Sequence, residues 1–197
     1  MDKDKRIVNF LFEVGTMRKL MRMHRQALLT DDMSDSIASH SYRVAMIGWF
    51  LAKEEKADPY KIVMMSLLHD VEEVRSNDHN YIHKKYIKIF EKEINEDQLG
   101  DLPHHDLKDF VDEYTERKSK EAILTKDADL LDQVLLLREY EWQGNKEASL
   151  WLRGKNGDKT NTHIARLQSE TAKKLGAAIY ETGPSDWWKD TWTPDNR

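Results

Sequence analysis

Cysteine is absent from this chain of 197 residues. Its absence excludes a disulfide framework, a thiolate zinc site and a cysteine nucleophile, so histidine and carboxylate side chains are the available metal ligands. Proline and glycine are scarce, with four and eight residues, and no apolar run approaches the ~18 residues that a membrane-spanning helix needs. We therefore expect long helices with few breaks and no membrane partner.

An excess of positive charge is lacking as well. The formal net charge of -5 and a pI near 5.9 argue against a nucleic-acid binder, whose affinity comes from clustered lysine and arginine. The charged fraction of 34% and the apolar fraction of 39% are typical of a globular protein. Residues 1–6 are not followed by the apolar core of a signal peptide, so we expect a cytoplasmic protein. The length predicts one domain over residues 1–197.

Apolar residues recur at helical spacing along most of the chain, and no segment shows the alternation of a strand. The sequence therefore predicts an all-α fold, a compact bundle of about six or more helices. Asp58 and Pro59 supply an N-cap and a first helical residue for one of them. Segment 119–143 is apolar on almost all faces and is expected to be central. The predicted helices cover residues 3–25, 36–56, 59–73, 81–95, 106–117, 119–143 and 162–181.

The C-terminal segment 162–197 consists of a predicted helix and a tail that carries Trp187, Trp188 and Trp192. Large aromatic side chains are unfavourable when they are fully exposed to water. We therefore expect this tail to pack on the domain or on a second subunit.

The pair His69-Asp70 follows the apolar run 62–68 at the end of a predicted buried helix. A carboxylate in such surroundings is very costly unless it meets a cation or a strong set of hydrogen bonds. Because adjacent residues point about 100° apart on a helix, the two side chains reach one ion only near the helix end. The pair therefore indicates a metal site at this helix end.

Further ligands for such an ion lie on two other predicted helices. His40 is on the buried face of helix 36–56, and the central helix offers Asp127, Asp129 and Asp132. Two imidazoles and two carboxylates form a set that divalent metals accept. Since the central helix is apolar on most faces, helical angles alone leave the choice among its three aspartates open.

These residues occur in the order of a known signature. The series His40, His69-Asp70 and Asp129 resembles the H…HD…D pattern of the HD-domain metal-dependent phosphohydrolases. The resemblance covers about residues 20–144, and it favours Asp129 over the other two aspartates. Three segments are similar to the branch that contains the 5'-deoxynucleotidases: 39–45, 67–73 and 128–141.

The resemblance implies an HD-type helical domain with one divalent cation held by His40, His69, Asp70 and Asp129. It suggests Mn or Co as the ion, while the ligand chemistry also accepts Mg, Fe, Zn or Ni. It also suggests a homodimer. The implied function is that of a 5'-nucleotidase, which hydrolyses (deoxy)nucleoside 5'-monophosphates to nucleoside and phosphate. The partner is then a small nucleotide, with no nucleic acid and no membrane.

The same resemblance assigns further site residues. Glu73 and Asp78 are implied to be catalytic, with Glu73 relaying a proton or holding the water and Asp78 assisting from the following loop. The phosphate-binding arginine of the branch falls on Arg25, with Arg22 as the alternative. The branch usually has glycine directly before the acidic residue, where this chain has Asn77. Asparagine tolerates the left-handed backbone that a tight turn requires.

Other interpretations stay open at this point. His79 and His83 are spaced i, i+4 and offer ligands for a second ion if their segment is helical. Gln26 follows Arg25 where the bacterial nucleotidases carry an aromatic residue, which leaves base and sugar preference open. The alternative functions are another HD-type nucleotide phosphodiesterase, a triphosphohydrolase, and a noncatalytic metal- and nucleotide-binding protein. The lack of a glycine-rich phosphate cradle disfavours the triphosphohydrolase.

Overall fold

The computed structural model describes residues 2–157 and 159–191, so Trp192 and the rest of the tail lie outside the described residues. Within this part the chain is helical and has no strand beyond one isolated antiparallel bridge between Met21 and Ser36, which confirms the all-α class. None of its helices combines the length and apolar character that a membrane span requires. The α-helices are α1 Lys3–Val14, α2 His24–Leu28, α3 Ile37–Glu55, α4 Pro59–Leu68, α5 Glu73–Ser76, α6 Glu91–Leu99, α7 Asp106–Glu116, α8 Lys120–Trp142, α9 Lys146–Arg153, α10 Thr162–Arg166 and α11 Glu170–Glu181. Short 3-10 helices span Gly15–Lys19, His83–Lys85 and Asp186–Thr191.

Helix α8 is the centre of the bundle, as its apolar sequence predicts. It begins after Ser119, whose hydroxyl caps the amide of Ala122, and it packs against α3, α4, α7, α9, α10 and α11. Leu124, Leu131 and Leu137 are almost completely buried along its length. Burial of each such side chain stabilises the fold by about 1.5–3 kcal/mol relative to exposure.

Helices α3 and α4 lie unusually close to each other. A Cβ atom on Gly48 of α3 would stand 2.7 Å from a methyl carbon of Ile62 and 3.1 Å from the hydroxyl of Ser66, both on α4. Only glycine permits this approach without displacing α4. The N-caps Ser36 and Asp58 fix where the two helices begin, as local sequence predicts.

The predicted helix 3–25 is wrong in its second half. The chain leaves the helix after α1, and the stretch that follows pairs with the segment before α3. The amide of Arg22 donates to the carbonyl of Asp35 at 3.0 Å. The amide of Ile37 donates to the carbonyl of Leu20 at 2.9 Å. A partner that is remote in sequence thus replaces the helical hydrogen bonds and places Arg22 beside the first turn of α3.

Two further segments differ from the prediction, and α9 has no counterpart in it. Segment 81–95 is largely non-helical before α6 begins. The predicted helix 162–181 is divided into α10 and α11 because a carboxylate from α8 caps the second part. Asp127 accepts hydrogen bonds from the amides of Gln168 at 2.9 Å and Ser169 at 2.8 Å. Asp127 therefore stabilises the start of α11 and is not directed at the metal ligands.

The described part of the tail lies along a groove of about 870 Å³ between α3, α8 and α11. Trp187 lines this groove although most of its side chain is exposed, and its ring contacts that of Trp188 with 4.6 Å between centroids. Trp187 thus borders the groove without being buried on the domain, and Trp192 lies outside the described residues.

Candidate metal and active site

The His69-Asp70 pair lies in the turn that joins α4 to α5, one residue after α4 ends at Leu68. Because regular helical geometry stops there, the two neighbouring side chains converge, with 3.1 Å between His69 Nε2 and Asp70 Oδ2. His69 is buried, whereas Asp70 is partly exposed. Both line a cavity of about 300 Å³. The helix end thus provides the convergence that one shared ion requires.

Four ligand atoms from three parts of the chain meet at this point. His40 Nε2 of α3 is 3.1 Å from His69 Nε2, 3.5 Å from Asp70 Oδ2 and 3.3 Å from Asp129 Oδ1 of α8. His69 Nε2 and Asp129 Oδ1 are 3.9 Å apart. Ligands bound to one ion at about 2.1 Å stand roughly 3.0 to 3.4 Å from each other, depending on coordination geometry. The spacing therefore fits a single divalent cation, and His40, His69 and Asp129 form a compact group of metal-competent donors.

Both imidazoles present the correct nitrogen to such an ion. His69 Nδ1 donates to the carbonyl of Ser66 at 2.7 Å, and His40 Nδ1 lies 2.5 Å from the carboxylate of Asp132. A proton held on Nδ1 by these acceptors leaves the Nε2 lone pair free for a metal. The donor set and its outer partners thus fit a bound cation.

The charges of the ligand cluster are strongly coupled. Burial raises the pKa of Asp70, but the neighbouring His69 and His40 outweigh it and bring the pKa to about 2. The pKa of Asp129 is held well below its usual range, because Lys126 and the two histidines outweigh the effect of burial. Lys126 Nζ lies 2.5 Å from Asp129 Oδ2. Both carboxyl groups are therefore ionised at neutral pH, which is the form that binds metal.

Glu73, at the start of α5, lines the same cavity. Its Oε2 atom is buried and lacks a hydrogen-bond partner among the described residues. Burial and the nearby charges of Asp70 and Asp78 raise the pKa of Glu73 to about 10. The adjacent Glu72 has a pKa raised to about 8 by burial and by Asp70. A buried carboxyl group with an open oxygen beside a ligand cluster is suited to proton transfer.

Asp78 is held by the backbone that precedes α2, because its carboxylate accepts a hydrogen bond from the amide of Met23. Asn77 ends α5 with φ of 64°, and its amide donates to the carbonyl of Glu73 at 2.8 Å. With ψ of 161°, Asn77 lies outside the left-handed helical region that asparagine tolerates and in a region almost confined to glycine, so its backbone is strained at this turn. The structure thus brings Asp78 to the segment that leads to the predicted phosphate-binding arginines.

The two candidate arginines have different surroundings. The guanidinium of Arg25 donates to Met33 Sδ at 2.7 Å, and Arg25 lines a separate cavity of about 560 Å³. Arg22 is instead buried beside the ligands, where it donates to Asp132 at 3.1 Å and to Gln133 at 3.0 Å. The structure therefore brings Arg22, and not Arg25, next to the ligand cluster.

The three aspartates of α8 have three different environments. Asp127 caps α11, Asp129 faces the other ligands, and Asp132 binds the back of His40. Arg43 of α3 also donates to Asp132, through its Nε atom at 2.5 Å. Burial alone would raise the pKa of Asp132, but the hydrogen bond and charge of His40 and the charge of Arg43 hold it far below the usual range. The sequence offers Asp132 as a candidate ligand and does not predict that it binds His40. Its position about one helical turn after Asp129 places it on the same face and was the only indication of this role.

The histidines proposed for a second ion do not gather a ligand set. His79 Nε2 lies 2.8 Å from the carbonyl of Ser76, and the His79 and His83 ring centroids are 5.7 Å apart. Their segment is not an α-helix, since only a 3-10 turn begins at His83. Within the part of the chain that the structure describes, neither residue belongs to a group of three or more metal-competent donors.

The chain matches a family model described as HD domain over residues 17–171, and it belongs to this HD domain family. The 5'-deoxynucleotidase HDDC2 of Dictyostelium discoideum is 33% identical in an alignment of 126 residues, which covers 57% of this chain and 66% of the relative. The chain thus spans slightly less than two thirds of the length of that curated relative. Family membership and the histidine and aspartate donors together indicate a divalent metal cofactor.

Solved structures share the same fold. A conserved hypothetical protein from Pyrococcus furiosus superposes with a TM-score of 0.70 at 23% identity, covering 89% of this chain and 99% of its own. A predicted metal-dependent phosphohydrolase from Magnetospirillum magnetotacticum has a TM-score of 0.66 at 23% identity, with coverage of 91% and 92%. These similarities establish the helical HD-type architecture that the sequence predicts.

Proposed function

We propose that this chain is a metal-dependent phosphomonoesterase that hydrolyses (deoxy)nucleoside 5'-monophosphates to nucleoside and phosphate. The observation that carries this proposal is the convergence of His40, His69, Asp70 and Asp129 donors at 3.1 to 3.9 Å beside a cavity. The 33% identity to a 5'-deoxynucleotidase supports the substrate class. We further propose Mn or Co as the ion, a homodimer as the assembly and the cytoplasm as the location.

An octahedral ion held by these four protein ligands would leave positions for water and a phosphate oxygen, and open positions distinguish catalytic metal sites from structural ones. A divalent ion in this position supplies a lowered pKa for coordinated water and compensates charge on the phosphoryl group. The hydrogen bonds that the imidazoles donate to the Ser66 carbonyl and the Asp132 carboxylate keep both rings oriented.

Glu73 is the proposed proton-transfer group. Its carboxyl proton is retained in the metal-free chain because burial and Asp70 raise its pKa, and a nearby cation lowers that pKa. The open Oε2 atom can then accept a proton from the attacking water and return one to the leaving oxygen. Asp78, whose charge also acts on Glu73, assists by orienting this carboxyl group.

Arg25 is the proposed phosphate-binding residue of the sequence signature, and Arg22 competes for that role. The donors of Arg22 are engaged by Asp132 and Gln133, whereas the exposed Arg25 is free to change rotamer. If Arg25 binds phosphate, Arg25→Gln raises KM for monophosphates about 10-fold or more and leaves metal affinity unchanged. Arg22→Gln then weakens metal binding, because it disturbs the partner of His40. The reverse pattern would transfer the role to Arg22.

The function is tested with the metal-loaded protein and a panel of nucleoside mono-, di-, tri- and cyclic phosphates. Phosphate release from 5'-monophosphates, lost in His69→Ala and Asp129→Ala, is the expected result. Turnover restricted to cyclic or triphosphate substrates would replace the monoesterase by the phosphodiesterase or triphosphohydrolase. Metal binding without turnover of any member would support a noncatalytic binding protein.

The role of Glu73 is tested with Glu73→Gln, which keeps the shape of the side chain. We expect kcat to fall about 10²- to 10⁴-fold, as for loss of a general acid or base, while Mn²⁺ affinity is retained. Glu91→Gln is the matched control, because Glu91 lines the same cavity from the exposed start of α6. An unchanged kcat in Glu73→Gln would remove this residue from the mechanism.

A further inference from the structure

Arg117 follows the last residue of α7 and is locked in an unusual position. It adopts a left-handed backbone conformation with φ of 56°. This conformation costs energy for a residue that has a Cβ atom. Its guanidinium carbon lies 3.3 Å above the ring centroid of Tyr114, one turn earlier on the same helix. The backbone turn and the stacking together fix where the guanidinium points.

Tyr114 connects Arg117 to the ligand cluster. Its buried ring meets His69 edge to face, with 5.6 Å between centroids and 74° between planes. Tyr114, Arg117, His69, Asp70 and Asp129 all line the cavity of about 300 Å³. Arg117 is therefore part of the same chamber as the proposed ion.

The guanidinium of Arg117 has donor capacity that the described residues do not use. Its Nη1 atom is buried and lacks a hydrogen-bond partner among them. Leaving a buried charged donor unsatisfied is costly, so such groups normally have a partner. A guanidinium that stacks on an aromatic face keeps its N–H groups free in the plane of the fork. The open donor is therefore available to an acceptor from outside the chain.

Arg117 is also electrostatically available. Two other cations line the cavity: Lys126 pairs with Asp129, and the charge of Lys84 lowers the pKa of Glu72. Arg117 forms no ion pair with an acidic residue in the described part of the chain; it stacks on the Tyr114 ring and hydrogen-bonds to the Tyr114 hydroxyl. The guanidinium of Arg117 lies in the same cavity as the metal ligands. It is therefore complementary to a tetrahedral oxyanion that also binds the ion.

We infer that Arg117 binds a non-bridging phosphate oxygen of the phosphomonoester, in addition to the metal ion and the arginine proposed above. This inference rests on the proposed function, because it takes its ligand class from that reaction. Arg117 holds the phosphate in place, while the ligand cluster and Glu73 act on the bond that is cleaved.

The test uses inorganic phosphate as the probe and isothermal titration of the full, Mn²⁺-loaded protein. Arg117→Gln should weaken phosphate binding about 10- to 100-fold, the loss expected for a hydrogen bond between charged groups. Arg117→Lys should recover part of the affinity, since lysine restores the charge without the planar fork. Lys118→Gln is the matched control, because the neighbouring Lys118 is exposed and pairs with Glu116. It removes one positive charge from the same turn and should leave the affinity unchanged.

Three results would overturn the inference. One is unchanged phosphate affinity in Arg117→Gln, and the second is an equal loss in Lys118→Gln. The third is a loss for nucleoside monophosphate that is not seen for inorganic phosphate, since this pattern would assign Arg117 to the nucleoside. Mn²⁺ affinity is measured in parallel, and a matching loss there would identify a structural effect through Tyr114 and His69. Failure of the wild-type protein to hydrolyse any monophosphate would instead contradict the proposed function and leave the phosphate titration interpretable.

Discussion

Two regions of α8 differ in whether their buried charged groups have partners within the chain. Near its C-terminus, Arg138 donates to the carbonyls of Ile179 at 3.1 Å and Thr182 at 3.2 Å and pairs with Glu141. Glu141 also accepts from Arg153 at 2.7 Å. Each charge there has a partner within the chain, so this network holds α8, α9 and α11 together.

Near Asp129, the first half of α8 faces a cluster that the chain does not complete. Asp70, Glu72 and Glu73 bring further carboxyl groups close to it, and the pKa values of the two glutamates rise to about 8 and 10. One carboxyl oxygen of Glu73 and one guanidinium nitrogen of Arg117 are buried without hydrogen-bond partners among the described residues. The comparison teaches that the paired network stabilises the fold, whereas the incomplete cluster costs stability and is complete only with ligands.

The largest expected effect is the increase in stability on metal addition, because the ion supplies positive charge to the cluster around Asp129 and not to the network around Arg138. Mn²⁺ at 100 times its Kd should stabilise the folded chain by about 2.7 kcal/mol. For a protein of this size that corresponds to roughly 5–10 °C in Tm, measurable by calorimetry.

A metal-dependent shift in Tm that persists in His69→Ala would place the ion elsewhere. Glu141→Gln is the control for a change of stability away from the metal ligands, because Glu141 lies near the C-terminus of α8. Its Tm should start lower than that of the wild type and rise by the same amount on Mn²⁺ addition.

The second prediction separates two buried aspartates of α8. Asp132→Asn weakens the hold on His40 and should lower Mn²⁺ affinity about 10- to 100-fold, as expected for an outer partner of a ligand. Asp127→Asn disturbs the cap of α11 and should cost about 1–2 kcal/mol of stability with normal Mn²⁺ affinity. Titration and urea unfolding of both variants distinguish these outcomes. Equal effects on metal binding would show that the functions of the two residues are not separate.

The smallest expected effect belongs to the paired network. Arg153 and Arg138 lower the pKa of Glu141, although burial opposes them. A carboxyl group whose pKa is lowered by folding stabilises the protein above its unfolded pKa of about 4.3, and that contribution is lost as pH falls through the folded pKa. Glu141→Gln should therefore cost about 1–2 kcal/mol at pH 7, and this cost should decline as pH falls below about 4 and disappear below the lowered folded pKa. A difference that stays constant in urea unfolding across this range would exclude the ionic contribution.

Features with a local cause could be predicted from the sequence. The structure confirms the predicted cap Asp58 of α4 and the predicted starts of α3 near Ser36 and of α8 near Ser119, where the serine hydroxyls prove to be the caps. His40 follows from helical spacing, and the convergence of His69 with Asp70 follows from the helix end.

Features set by remote contacts could not be predicted. The hydrogen bond from Arg22 to Asp35 keeps the chain around Arg22 out of the predicted helix 3–25, and Asp127 binds the chain between α10 and α11. The aspartates of α8 lie on a helix that is buried on most faces, so spacing could not rank them, and the resemblance to a family favoured Asp129. The open donor of Arg117 depends on a left-handed backbone and a stacked ring, neither of which leaves a pattern in the sequence.

The four proposed ligands also have a topological consequence. They come from α3, the turn after α4 and α8, and two of them, His40 and His69, are already 29 residues apart in the chain. An ion held by all of them closes two long loops, and loop closure restricts the unfolded ensemble in the way that a covalent cross-link does. A chain without cysteine would thereby gain a reversible cross-link whose presence follows the supply of metal in its surroundings.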